Sequence, residues 1–272
     1  MEKLKAALDI ARKSRAKHTG SPVGRSDAPR RQSDVPPTCL ERWQALDTLA
    51  VQEKHLVRHR VVTRLAGSAA TPFDILRTKT LLQMRRNGWK KLAITSPMPS
   101  SGKTTMACNL ALGLGRQSDL RSILFDLDLR DPSAHKFFET IPPHGIGEVL
   151  TGDVAFGEQA LRYGDNVAVS MAQRAEKDPT RILLSEEAVS ALQAIEEAYQ
   201  PDLMIFDLPS GLVNDDTRAF LKNADCALIV ARADKTQYEQ FEICRREIEQ
   251  LTNVLGVVLN AYRHDKRSSR QI

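Results

Sequence analysis

Six short runs rich in Val, Ile, Leu, Ala and Phe recur between residues 91 and 260, separated by stretches long enough to hold helices. They read "KLAIT" (91–95), "SILFDL" (122–127), "NVAVS" (166–170), "LMIFDL" (203–208), "CALIVA" (226–231) and "VLGVVLN" (254–260). Runs that are continuously apolar, rather than alternating, belong to strands covered on both faces. Strands alternating with helical spans predict an α/β fold: a doubly wound, mostly parallel sheet with helices on both faces. The helices are expected near 73–86, 104–116, 181–199, 215–222 and 236–251. In such a sheet ligands gather at the carboxyl ends of the strands.

The rest of the chain divides by composition. Residues 1–17 place Leu4, Ala7, Leu8, Ile10 and Ala11 at helical spacing among Lys and Arg, which predicts a basic amphipathic helix. Residues 18–39 are dense in Pro, Gly, Ser and charge and predict a flexible linker. Residues 40–70 predict a lead-in packed partly on the main domain, which runs from 71 to 262, and 263–272 form a basic tail. The net charge of +5 is uneven: residues 1–70 hold 14 Lys or Arg against 7 Asp or Glu, the remainder 25 against 27. The basic character thus belongs to the arm, which suits an anionic surface or an acidic partner and is equally the composition of a solvated tail. No apolar run approaches the length of a membrane span, and the charged N-terminus lacks the apolar stretch of a secretory signal. A cytoplasmic location is therefore expected. Cys39, Cys108, Cys226 and Cys244 form no CxxC pair, so neither a disulfide framework nor a zinc site is expected.

The first strand runs directly into "SPMPSSGKTT" and then into the apolar "MACNLALGLG", the strand, loop and helix order of a phosphate-binding loop. Past Pro97 and Pro99, which lack an N–H, the amides of Ser100, Ser101, Gly102, Lys103 and Thr104 can line a nest at a helix N-terminus, where the backbone dipoles favour anions. Gly102 permits the tight turn. Lys103 is placed to reach the β and γ phosphates of ATP, the Thr104 hydroxyl to ligate Mg2+, and Thr105 to bond the α phosphate. The pattern GxxxxGK[ST] fails only at its first position, which is Pro97.

Three acidic residues end neighbouring strands. "FDLDLRDP" puts Asp126 and Asp128 on one side of the chain, and "LMIFDLPSG" adds Asp207 after an apolar run. Near a magnesium-bound phosphate, one carboxylate can hold the metal through water while another accepts the proton of an attacking hydroxyl. Solvated strand-end acids are the plainer alternative. Asn260, at the end of the last strand, suits either an adenine edge or a strand cap.

With these residues in place the chain resembles the bacterial tyrosine kinases of capsule and exopolysaccharide synthesis, in the form of the stand-alone CpsD/CapB-type ATPase with a MinD/ParA-like P-loop fold. The resemblance spans about residues 71–260 and rests on "FDILRTK", the Walker A loop "SPMPSSGKTT", the Walker A' segment "ILFDLDLRDPS", "GIGEVLTGD", the Walker B segment "IFDLPS", Asp216 and "GVVLN". It implies transfer of the ATP γ-phosphate to protein tyrosine, with Asp126 as base, Asp128 on the magnesium side and Asp207 in the metal shell. It also implies a transmembrane polysaccharide co-polymerase as partner, which would hold the protein at the inner membrane, self-association, and no nucleic acid. Departures are specific. The residues after Asn260 contain one tyrosine, Tyr262, where the family has a cluster, and the family's ExxRxxR falls on Thr71, Asp74 and Arg77.

Two further readings stand beside this one: an ATP-dependent regulatory switch without tyrosine transfer, and a MinD/ParA-like positioning ATPase, a group whose extra early-loop Lys is Met98 here. Four tyrosines, Tyr163, Tyr199, Tyr238 and Tyr262, are candidate acceptors. Deleting residues 2–17 is expected to leave ATP binding unchanged and to weaken recruitment to a membrane partner, measured by co-sedimentation with membranes.

Overall fold

The computed structural model describes residues 37–262. The predicted helix at 1–17, most of the linker and the basic tail lie outside them.

The described chain opens with α1 (Cys39–Ala45), closed at its start by a capping box: the Thr38 hydroxyl accepts from Glu41 N while the Glu41 carboxylate accepts from Thr38 N at 2.7 Å. A two-residue strand β1 (Asp47–Thr48) and a short helix α2 (Glu53–Arg58) follow, then α3 (Thr71–Asn87), which ends on Gly88 in the left-handed region. Next come β2 (Lys91–Ser96), α4 (Lys103–Leu114), β3 (Ser122–Asp126), α5 (Ala134–Phe138), α6 (Ile146–Leu150), α7 (Phe156–Gln159), β4 (Leu161–Tyr163) and β5 (Val167–Ser170). The chain continues through α8 (Pro179–Leu184), α9 (Glu186–Tyr199), β6 (Leu203–Ser210), α10 (Asp216–Leu221), β7 (Cys226–Arg232), α11 (Tyr238–Glu249) and β8 (Asn253–Asn260).

One sheet of eight strands results, in the order β1-β4-β5-β3-β6-β2-β7-β8, with β4 and β5 its antiparallel pair and every other pairing parallel. Successive strand residues enter different cores, because side chains alternate across a strand. Ala93, Ile123, Phe125, Met204, Phe206 and Ile229 pack under α1 and the helices from α6 to α11. Leu92, Ile94, Leu124, Ile205, Leu228 and Val230 pack under α2 to α5. Two buried faces explain the unbroken apolar runs of β2, β3, β5, β6 and β7; the run in β8 is not covered on both faces, because β8 is the sheet's edge strand, with Val257 47% and Leu259 56% exposed.

The expected helix at 181–199 is two helices. Ser185 adopts an extended conformation between them and its hydroxyl accepts from Ala188 N, so it starts α9 with Glu186 and Glu187 in the first turn, where they favour the helix dipole. The lead-in enters the sheet through β1 and buries Trp43, Leu46, Leu49, Leu56 and Val61. Trp43 is its anchor: the indole Nε1–H donates to Tyr199 O at 2.7 Å, the ring meets Tyr199 edge-on, and Arg121 lies over it. Among the described residues no helix is long and apolar enough to cross a membrane.

Trp43→Ala removes a side chain that is 1% exposed together with a buried hydrogen bond. It is expected to cost about 3–5 kcal/mol of stability, read as a lowered urea midpoint.

Candidate active site

The loop between β2 and α4 is held from several sides. Ser96 Oγ and Ser101 Oγ both donate to Met98 O, at 2.8 and 2.7 Å, and Gly211 N donates to Ser96 O at 2.8 Å. Arg232 Nη1 donates to Ser100 O and Asn260 Nδ2 to Ser101 O, each at 2.8 Å. These bonds sustain an unusual backbone: Ser100 has φ 60°, uncommon for a residue with a side chain, and Gly102 has φ 89°. That φ favours glycine, and a Cβ at 102 would sit 2.2 Å from Asn260 Nδ2, so the amide would have to leave Ser101 O to make room. The loop delivers Lys103, Thr104 and Thr105 into the first turn of α4.

The parallel ladder brings the acids to this turn. β3 and β6 pair in register with Asp126 opposite Asp207, and β6 pairs with β2, which leads into the loop. Lys103 Nζ donates to Asp128 Oδ2 at 2.9 Å, and both side chains are largely buried. Thr104 Oγ1 lies 3.2 Å from Ser133 Oγ. Asp126 Oδ2 accepts from Ser133 N at 3.3 Å and Ala134 N at 3.0 Å. Its other oxygen and both oxygens of Asp207 have no hydrogen-bond partner among the described residues.

A cavity of about 350 Å3 opens here, lined by Lys103, Thr104, Asp128, Arg130 and Ser133. Asp126 and Asp207, 0% and 1% exposed, do not line it. Burial raises the proton affinity of both carboxyls. The Asp207 charge raises Asp126 further, while Lys103 moderates the rise at Asp207. The nearby Thr104 hydroxyl also lowers Asp207. Burial works against the Lys103 ammonium, but Asp207, Asp128 and Asp126 outweigh it and raise its pKa.

Three contributors escaped the sequence reading. Arg130 is gripped by Asp216 through Nε and Nη2 at 2.9 and 3.0 Å, with the Thr180 hydroxyl on the same carboxylate. Ser133 meets Thr104 and caps Asp126, and Arg232 braces Ser100. Arg130 was visible only as the basic residue after "DLD"; its partner Asp216 lies 86 residues away.

The Thr104 hydroxyl and Asp128, which line the cavity, with the buried Asp207 beside them, are hard oxygen donors of the kind that Mg2+ takes. No three His, Cys, Asp or Glu side chains among the described residues form a ready cage. Mg2+ in nucleotide sites is held mainly by phosphates and water, with one or two protein ligands, so the set is sufficient.

The pKa shifts carry a sign. Asp126 is raised from 3.8 to about 8, so between these values the folded state holds a proton that the unfolded state has lost. Stability of the nucleotide-free protein therefore falls as pH rises from about 4 through about 8. Asp126→Asn keeps one acceptor toward Ala134 N and directs an amide toward Asp207. It is expected to flatten this dependence and to raise the melting temperature at pH 8 by several degrees, with little change at pH 4, measured calorimetrically.

Residues 92–272 match the CobQ/CobB/MinD/ParA nucleotide binding domain. A tyrosine-protein kinase, ptk, of Acinetobacter johnsonii is 30% identical over 172 residues, covering 62% of this chain and 23% of that protein. The tyrosine-protein kinase YwqD of Bacillus subtilis is 29% identical over 181 residues, covering 66% and 75%. The kinase domain of the Escherichia coli tyrosine kinase ETK superposes with a TM-score of 0.67 at 26% identity, over 74% of this chain and 79% of that one. The chain spans about a quarter of the length of the longer curated relatives it matches. A parallel sheet with a phosphate loop at its centre, matched over two thirds of the sequence, means that the chain belongs to the CobQ/CobB/MinD/ParA nucleotide-binding family, where its relatives are bacterial tyrosine-protein kinases.

Proposed function

We propose that the chain binds Mg-ATP on the loop at residues 97–105 and transfers the γ-phosphate to a tyrosine hydroxyl. The observation that carries this reading is the meeting of Lys103, Thr104, Asp126, Asp128 and Asp207 at the N-terminus of α4, with unpartnered carboxylate oxygens directed into no other bond. The amides of Ser100 to Thr104 and the α4 dipole bind the phosphates, Lys103 meets the β and γ groups, and Thr105 lies on the α side. Thr104, with Asp128 and Asp207 through water, would hold Mg2+, which when bound neutralises charge building on the transferring phosphoryl group. Asp126 accepts the tyrosine proton, its proton affinity raised by burial and by Asp207 toward the range that makes such a transfer favourable. Because Asp126 does not line the cavity, this step requires the site to open toward it when nucleotide binds.

Exposure narrows the acceptors. Tyr199 is 7% exposed in the core, whereas Tyr238 and Tyr262 are 71% and 64% exposed. An acceptor on a polysaccharide co-polymerase at the inner membrane, contacted through the N-terminal arm, completes the proposal.

A regulatory switch without transfer is the second reading, favoured by the Lys103–Asp128 pair itself. A lysine that exchanges a carboxylate for phosphate gives the site two electrostatic states.

Incubation of the full chain with Mg2+ and γ-labelled ATP, with and without the co-polymerase's cytoplasmic tail, tests both. Lys103→Ala is expected to weaken ATP at least tenfold, and Asp126→Asn to slow labelling of tyrosine by 100-fold or more. Phosphotyrosine lost in both variants supports transfer; bound or hydrolysed ATP with no phosphotyrosine supports the switch.

A further inference from the structure

A second cavity, of about 460 Å3, lies against the first and shares Ser100, Gly102, Thr105 and Phe137 with it. Its remaining wall includes Arg58, His59 and Arg60 from the lead-in and Arg232 and Asn260 from the ends of β7 and β8. We infer that the lead-in builds the nucleoside half of the nucleotide site, with His59 and Arg60 as specificity-determining residues for the base and ribose. The inference rests on the ATP-binding reading above and extends it to a segment upstream of the family match.

The polarity of the site carries the argument. Lys103, Thr104 and Asp128 line only the first cavity, which fixes the metal and the terminal phosphates there. Thr105, at the α-phosphate end, lines both. A nucleotide laid along the loop in that direction must place its nucleoside in the second cavity. The chemistry there suits one. His59 and Phe137 pair with ring centroids 5.0 Å apart, which offers a π surface to a base, and the guanidinium planes of Arg58, Arg60 and Arg232 can stack on a base or meet the ribose phosphate.

The wall is also preformed. Asn109 of α4, 0% exposed, donates from Nδ2 to Arg60 O at 2.9 Å and to Thr105 O at 2.8 Å, and its Oδ1 accepts from Val62 N at 2.9 Å. Thr63 Oγ1 donates to Asn109 O at 2.7 Å. One buried side chain on the phosphate-binding helix thus fastens the lead-in and keeps Arg60 at φ 60°, a conformation unusual for a residue with a side chain. The bonds that reach the lead-in go to its backbone and to the Thr63 hydroxyl, so changing the His59 or Arg60 side chain leaves them in place.

The test compares Mg-ATP with Mg-tripolyphosphate, which has the phosphates and no nucleoside, by titration calorimetry on the full chain. His59→Ala is expected to weaken ATP roughly tenfold, as loss of one stacking partner does, and to leave tripolyphosphate within about twofold. Arg60→Gly, which suits the positive φ and so preserves the fold, is expected to act the same way. His59→Phe should restore ATP affinity. Unchanged ATP affinity in both His59→Ala and Arg60→Gly, or equal loss of both ligands in both variants, overturns the inference. Failure of the wild-type chain to bind ATP, or ATP binding that survives Lys103→Ala, would instead overturn the reading on which it rests.

Discussion

Because β6 lies hydrogen-bonded between β3 and β2, the end of one strand fixes the position of two others. Parallel pairing allows no tight hairpin, so among β2, β3, β5, β6, β7 and β8 each strand is reached through at least one helix, and their carboxyl ends emerge at one edge, while the short β1 and β4 run the other way. The loop after β2 and the acids at the ends of β3 and β6 meet for that reason alone. A one-residue slip in the β3–β6 register would separate Asp126 from Asp207 and turn every apolar side chain of the strand to the wrong core.

The charge balance at this edge is unfavourable without a ligand. Three carboxylates crowd one lysine, and two of them are sealed from water, with one oxygen of Asp126 and both of Asp207 unsatisfied among the described residues. Such groups are costly inside a protein. Here the cost sits where cations and phosphates would relieve it, beside a loop with Ser100 in a sparsely populated conformation. The neutral core around it, with stacked Phe125 and Phe206, supplies the rigidity that keeps the arrangement from relaxing.

The sequence was most legible where burial was two-sided. Unbroken apolar runs located the six main strands, and the GKT at a strand-to-helix junction located the phosphate loop with the acids around it. Short elements were not legible: β1 has two residues, and α5, α6 and α7 have four or five, too few to show a period. Their positions depend on distant partners, as Trp43 depends on the Tyr199 carbonyl and Arg130 on Asp216. Asn109 left one faint local sign, a polar residue inside an otherwise apolar helix, and its meaning lay in backbone 47 residues away. Ser185 was readable in principle, as a Ser before two Glu, but the apolar periodicity on either side masked the break.

Asn260 and Gly102 approach closely at the end of the sheet. A side chain at 102 would meet the Asn260 amide, which can move aside only by giving up its bond to the Ser101 carbonyl. Replacement of Asn260 by a smaller residue removes the collision but also frees the Ser101 carbonyl, and the positive φ at 102 still resists a side chain. A residue other than glycine at 102 therefore meets two obstacles of different kinds: a backbone conformation that no change elsewhere relieves, and an amide that can step aside only by giving up the Ser101 carbonyl.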